Sequence, residues 1–329
     1  MRFFSLLIVI MLWSVSAPVS AQHYRMHPDI PTDSSYNAQN ELIKNRKKYP
    51  SISLVGVGDL NKLIIRNDVV YVRYGNRAMH LDLVRPEGTK KVPVVVIIHA
   101  GGWRSGEKNM DRHIAYELSR NGFATVCVEY RLSMEARYPA GVQDIKTAIR
   151  WIRANAAKYN LQSNRLAIFG TSAGGQLAAL IGSENGTVLS YKTIDYKQFS
   201  DKVEAVVDMD GVLAFLHPES AEGQDQPGKL SAATLWFGAS SKEKPELFNE
   251  ASAYCHVGKQ TAPFLFVNSA QPRFHAGRDD MMKKLNAFGI YYEVHTIDNT
   301  PHTFWLFHPW FDEAMPYVVR FLNKTLNNK

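Results

Sequence analysis

The run Arg165-Leu166-Ala167-Ile168-Phe169-Gly170-Thr171-Ser172-Ala173-Gly174-Gly175-Gln176 decides how the rest of the chain is read. Residues 165–169 have the apolar character of a buried strand, and a short helix over residues 173–181 is expected to follow at once. The pentapeptide Gly170-Thr171-Ser172-Ala173-Gly174 is a G-x-S-x-G pattern on the turn between them. A serine on that turn is forced into a strained backbone conformation that lifts its Oγ above the sheet. The flanking glycines are needed because side chains there would collide with neighbouring backbone. The pattern alone is weakly specific; the strand before it and the helix after it make Ser172 a candidate nucleophile.

Working outward, residues 69–74 and 79–84 alternate in polarity and are divided by Gly75-Asn76, which predicts a hairpin of edge strands. Residues 92–98 form a continuous β-branched run, expected of a strand covered on both faces. Helices are expected over residues 111–120 and 142–159, with a strand at 123–129 between them. Beyond Ser172, strands are expected at 203–209, 264–268 and 291–297. Residues 230–257 read as helical or irregular. A helix over 278–288 is closed by Gly289, and a last one runs over 310–326. Strands alternating with helices imply right-handed crossovers and a doubly wound, mainly parallel sheet with helices on both faces. No repeat or low-complexity linker interrupts residues 61–329, which read as one domain. Residues 22–60, bearing Pro, Asn and Ser with weak periodicity, read as an N-terminal arm packed on it.

His99-Ala100-Gly101-Gly102-Trp103 ends the 92–98 strand. Acyl transfer passes through an intermediate with a negative oxygen, best stabilised by two or three fixed N–H donors. Glycines let the backbone of Gly101 and Gly102 approach that oxygen, and the Ala173 N–H is the third expected donor. A nucleophilic serine also needs a base. His302, in Asn299-Thr300-Pro301-His302-Thr303-Phe304 after the last strand, stands last in a Ser, acid, His order. His295 lies inside that strand, and His308 opens the final helix.

These stretches carry a resemblance. His99 to Trp103 is similar to the HGGGW loop of carbohydrate and feruloyl esterases in the α/β-hydrolase superfamily, with Ala100 in place of the first glycine. Tyr130-Arg131-Leu132, followed by Tyr138-Pro139-Ala140, Asp144, Ala148 and Trp151, resembles the same group, and there Asp144 is expected to be a structural hydrogen-bonder. Asp210-Gly211-Val212, His217-Pro218-Glu219 and the run from Arg273 to Asp279 resemble exported gut-bacterial esterases that act on pectin. The resemblance implies an α/β-hydrolase fold and a serine ester hydrolase that needs no cofactor. It also exposes a gap. Relatives carry the triad acid shortly after the seventh strand, where this chain reads Asn268-Ser269-Ala270-Gln271-Pro272. A carboxylate is still required to hold the imidazole tautomer and stabilise its cation. Asp210, after the sixth strand, is the first candidate. Asp279, with Asp280 beside it, is the alternative, although acids at a helix start also complement the dipole.

Composition sets the remaining expectations. Arg2, an apolar run and Val19-Ser20-Ala21 read as an export signal cleaved before Gln22, too short for a membrane anchor. The net charge of +7 favours an anionic partner. Yet the basic residues are scattered, with Asn45-Arg46-Lys47-Lys48 the one short cluster, and nothing reads as a nucleic-acid motif. His and acidic residues show no metal-ligand spacing. Cys127 and Cys255 are too few for a disulfide scaffold, though export would permit them to pair. The resemblance implies as substrate a methyl or acetyl ester on pectin-like polysaccharide, with Arg273, His275 and Arg278 available to bind uronate. Trp103, Phe215, Phe304 and Trp305 are the aromatics expected near the mouth. A feruloyl, aryl or general carboxylesterase and a catalytically impaired binding protein remain alternatives. The sequence leaves the oligomeric state open.

Overall fold

The structure, a computed structural model, describes residues 30–31, 33–188 and 191–327. The export-signal reading of residues 1–21 lies outside them. In chain order the first elements are α1 (Ala38–Arg46), β1 (Ser53–Leu54), β2 (Leu63–Tyr74), β3 (Arg77–Pro86), β4 (Val92–Ile98), α2 (Arg112–Arg120), β5 (Ala124–Val128) and α3 (Ala140–Asn155). Then come β6 (Leu161–Thr171), α4 (Ala173–Glu184), β7 (Ala205–Met209), α5 (Ala232–Phe237), α6 (Pro245–Glu250), β8 (Phe264–Ser269), α7 (Arg278–Ala287), β9 (Tyr292–Ile297), β10 (Phe307–His308) and α8 (Trp310–Leu322).

Eight strands form one sheet in the order β2-β3-β5-β4-β6-β7-β8-β9, parallel from β5 onward. The β2–β3 hairpin is antiparallel, but only β2 is an edge strand. Residues Leu81–Val84 of β3 pair on their other side with β5, which corrects the expectation that both strands are edges. The reason is visible in β3, where Leu81, Leu83 and Val84 are all buried.

Side chains on a strand alternate between faces, and the two cores follow that period. Val94, Val96, Ile98, Leu166, Ile168, Phe264 and Phe266 pack on one face with α3, α4 and α7. Val95, Ile97, Ala167, Phe169, Leu265 and Val267 pack on the other with α2 and α8. Truncating a buried aromatic such as Phe266 to Ala should cost roughly 3–5 kcal/mol. The chain reverses its direction of travel across the sheet around β4 and β6, whose C-terminal ends pair as Ile98 with Gly170. Ligand crevices in open α/β sheets form at such reversals, outside the carboxyl ends of the strands.

Within residues 33–60 there is more regular structure than the sequence reading anticipated. The Asn37 side chain caps α1 by accepting the Asn40 N–H at 2.8 Å. That helix buries only Leu42, so it has no apolar periodicity to detect. β1 pairs with β10, and the Val55 N–H donates to the Leu306 carbonyl, tying the arm to the segment after His302. Cys127 is buried, Cys255 exposed, and both are free thiols.

Candidate active site

Ser172 sits between β6 and α4 with φ 51° and ψ −118°, a conformation that L-residues rarely hold. Its N–H donates to the Met209 carbonyl at 2.8 Å, which pins the turn to β7. The neighbouring glycines are obligatory. A Cβ on Gly170 would stand 1.9 Å from the Gly174 carbonyl oxygen, and one on Gly174 would stand 2.0 Å from the Ile98 oxygen. The end of β4 and the start of α4 therefore approach backbone to backbone.

His302 projects from the loop between β9 and β10. Its Nε2 lies 2.8 Å from Ser172 Oγ, and its Nδ1 lies 2.9 Å from Asp210 Oδ2. Asp210 is fully buried in its side chain, and its second oxygen accepts the Ser269 N–H at 2.8 Å. The place after β8 that lacks a carboxylate thus supplies a backbone donor to a carboxylate arriving from β7. With Nδ1–H donating to Asp210, Nε2 is left to accept the Ser172 hydroxyl proton. Phe274 stacks face to face on the His302 ring at 3.4 Å between centroids, which fixes the plane of the imidazole.

Asp208, two residues upstream, is also buried. Burial, with Asp210 nearby, holds its carboxyl well above the usual carboxylate range. Its Oδ1 accepts the Gly211 N–H at 2.9 Å. Asp279 lies at the start of α7, largely exposed and bridged to Arg278, and Asp280 pairs with Lys283 and His217. Neither contacts His302.

The loop after β4 brings glycine backbone beside the serine. Gly101 and Gly102 take φ of 127° and 59°, and a Cβ on Gly101 would stand 2.0 Å from the Ser105 carbonyl oxygen. Gly102 and Ala173 line the same small pocket as Ser172. As the first residue of α4, Ala173 has an N–H with no acceptor inside its helix. His99 is buried at the base of this loop, stacked on Tyr130, and burial depresses its pKa to about 4.

Two spaces meet at Ser172. The larger is an open cleft of about 530 Å³, bounded by Gly101, Gly102 and Ser172 on one side and Gln271, Phe274 and the 299–303 loop on another. Its remaining wall is α1 and its flanks: Tyr36, Glu41, Lys44, Asn45, Lys48 and Tyr49. The smaller is a side pocket of about 40 Å³, where Trp103, Val212, Glu222, Arg273 and Phe274 surround Gly102, Ser172 and Ala173.

The expected substrate residues divide accordingly. Arg273 is half exposed, lies over the Phe274 ring at 4.2 Å, and lines the side pocket 3.8 Å from Glu222. Arg278 lines neither space. It is spent on Asn268 and Asp279. His275 is buried, with its pKa lowered by burial, and lines neither space. Trp103 is buried, stacked on Trp236 at 5.0 Å, with Nε1 donating to Gln176. Phe215, Phe304 and Trp305 are core residues rather than mouth residues, because each is closed in by other rings. Asp144 accepts from Tyr74 and Arg131 and holds the segment after β5, a structural role.

Sequence reading missed the α1 wall and Glu222. The Asn45–Lys48 cluster was the one signal for the first, and no pattern marks the second.

The fold is similar to that of solved esterase structures. A truncated carbohydrate esterase from gut microbiota superposes with a TM-score of 0.70 at 22% identity, over 80% of this chain and 97% of that one. An acetyl ester-xyloside bifunctional hydrolase from Caldicellulosiruptor lactoaceticus gives 0.63 at 18% identity, over 76% of this chain and 89% of that one. Esterase LipC of Mycobacterium tuberculosis is 29% identical over 204 residues, 61% of this chain and 50% of LipC. The chain spans about half the length of that relative. Residues 81–274, more than half of the chain, match BD-FAE, and with this fold behind the match the protein belongs to the BD-FAE family of the α/β hydrolases.

Proposed function

We propose that the protein is a serine carboxylic-ester hydrolase that removes small ester groups, methyl or acetyl, from pectin-like anionic polysaccharide. The observation that carries this reading is the hydrogen-bonded line Ser172–His302–Asp210 opening onto a cleft large enough for a sugar chain. His302 Nε2 takes the Ser172 proton as Oγ bonds to the ester carbonyl carbon, and the carbonyl oxygen becomes an oxyanion facing the Gly101, Gly102 and Ala173 N–H groups. The intermediate collapses by breaking the bond to the alcohol oxygen, which receives the proton from His302. Water then attacks the acyl-serine, gives a proton to His302, and Ser172 leaves with that proton as the acid is released. The Asp210 charge stabilises the imidazolium formed in each half. The intact line also speaks against the catalytically impaired alternative, whose motive was the absent acid after β8.

Support for an anionic polymer comes from α1. Lys44, paired with Glu41 at 3.4 Å, and Lys48 line the cleft, and the Lys48 ammonium, 5.0 Å from the Tyr49 ring, meets no carboxylate among the described residues. A chain carrying carboxylates would find them there. The likeness to a gut-microbiota carbohydrate esterase agrees with a polysaccharide substrate. We further propose that residues 1–21 direct export, which N-terminal sequencing of the natural product beginning at Gln22 would support and one beginning at Met1 would oppose.

The test is incubation with methylated, acetylated pectin, with acetate and methanol assayed together for the wild type and Ser172→Ala. Release of either by the wild type and by no Ser172→Ala protein is expected. If neither product appears, the pectin assignment fails even where a nitrophenyl ester is cleaved.

A further inference from the structure

We propose that the ester is specifically an acetyl ester on a sugar hydroxyl, with the acetyl group in the side pocket and the sugar in the cleft. This rests on the serine-esterase reading above and adds the direction in which the substrate lies.

The direction follows from proton transfer. When the tetrahedral intermediate collapses, the departing oxygen must receive its proton from His302 Nε2. His302 lines the cleft and does not line the side pocket. The alcohol part of the ester therefore lies in the cleft. The oxyanion is turned toward the Gly101, Gly102 and Ala173 N–H groups, and the remaining substituent on the carbonyl carbon, the acyl part, takes the other space that meets Ser172. That space is the side pocket walled by Trp103, Asp210, Val212, Glu222, Arg273 and Phe274.

The sizes of the two spaces then select the ester. A water-sized group needs roughly 10–15 Å³ of such volume, so about 40 Å³ takes a methyl group with little to spare. For an acetylated sugar the acyl substituent is that methyl group, and the bulky alcohol occupies the cleft of about 530 Å³. For a galacturonate methyl ester the assignment inverts. The acyl substituent is then the whole sugar ring, far larger than a space of about 40 Å³, while methanol would occupy the large cleft. The Trp103 wall is held in place, stacked on Trp236 and hydrogen-bonded through Nε1 to Gln176, whereas half-exposed Arg273 forms the open side. The balanced reaction is acetyl ester plus water giving acetate, a free sugar hydroxyl and a proton to solvent at neutral pH.

Glu222 and Val212 are then the residues that set acyl length. Glu222 is mostly buried at the pocket wall, facing Arg273, and Val212 is buried beside Asp210. The experiment compares wild type, Glu222→Ala and Val212→Ala on nitrophenyl acetate, butyrate and octanoate, together with acetate and methanol release from methylated, acetylated homogalacturonan. The wild type should prefer acetate over octanoate and release acetate faster than methanol, each by about tenfold or more, the range one or more unaccommodated methylenes impose. Either variant should raise the butyrate-to-acetate ratio by about tenfold; two variants guard against one failing to fold. Methanol release at or above the rate of acetate release, or octanoate cleaved as fast as acetate, would overturn the assignment while leaving the serine-esterase reading intact. An unchanged ratio in both folded variants would overturn the role of these walls and the pocket assignment with it. Failure of the wild type to cleave any of these esters would instead remove the esterase reading beneath it.

Discussion

Asp210 holds φ at 57°, in the left-handed region, at the first residue beyond β7. The strain is sustained because its N–H donates to the Val267 carbonyl while its carboxylate takes the Ser269 N–H and faces His302. Replacing it by Ala would leave the Ser269 donor buried without a partner, so Asn is the cleaner probe. A second residue-scale prediction concerns Asp111, whose carboxyl burial pushes up to about 7, against the opposing Thr171 hydroxyl bond. A raised carboxyl pKa favours the folded state while it stays protonated. That contribution is complete below the unfolded value near 3.8 and is lost as pH rises through about 7. His99 and His113, depressed to about 4 by burial, act in the opposite sense, losing stability as pH falls from the ordinary value toward 4. The melting temperature of wild type minus that of Asp111→Asn isolates the first effect, and it should fall steadily from pH 4 to pH 7 as the wild type alone loses stability. A difference that stays level over that range would contradict the assignment. At this scale Ser172, His302 and Asp210 were legible because each follows a strand at a place the fold reserves for chemistry. Glu222 was not, since it lies in a polar insertion where only folding brings it beside Val212.

Among the elements, α1 joins cleft wall and catalytic loop. Glu41 accepts the Thr303 hydroxyl at 3.0 Å and the Asn45 amide at 3.2 Å, so the residue after His302 is tied to the helix. Glu41 is a positioning residue. Glu41→Ala should lower kcat by roughly tenfold with little change in KM for nitrophenyl acetate, as small misplacements of a base cost large factors in rate. Glu41→Gln, which keeps an accepting oxygen, should recover most of it. Equal losses in the two variants would point to the charge rather than the hydrogen bond. The helix escaped sequence reading for a physical reason: with one buried apolar residue, its stability comes from a cap and from docking, neither of which leaves a period. The central strands were legible for the opposite reason, being long β-branched runs such as Val92–Ile98 that only a doubly covered sheet can use. The hairpin was half legible. Its alternation marked two strands, but nothing in it told that β3 would take β5 as a second partner.

For the whole molecule, an excess of seven positive charges and a cleft wall carrying Lys44 and Lys48 beside Glu41 give the proposed anionic substrate an electrostatic test. Exposed ion pairs are individually worth ~0.2–1 kcal/mol, so Lys44→Ala with Lys48→Ala should raise KM for acetylated pectin about two- to tenfold. Added salt should weaken wild-type binding more than that of the double variant. A KM that rises no more for the polymer than for nitrophenyl acetate would exclude α1 as the anion contact. The overall architecture follows from the order of strands and helices, whereas the division of the site into a cleft and a side pocket depends on contacts between segments far apart in the chain. The central claim is narrower: the carboxylate from β7, not one from the loop before α7, completes the triad. It is tested most directly by kcat on nitrophenyl acetate for Asp210→Asn beside Asp279→Asn. The account predicts a loss of about 10⁴-fold for Asp210→Asn and near wild-type turnover for Asp279→Asn. Near wild-type turnover by Asp210→Asn, with the loss appearing in Asp279→Asn, would contradict it.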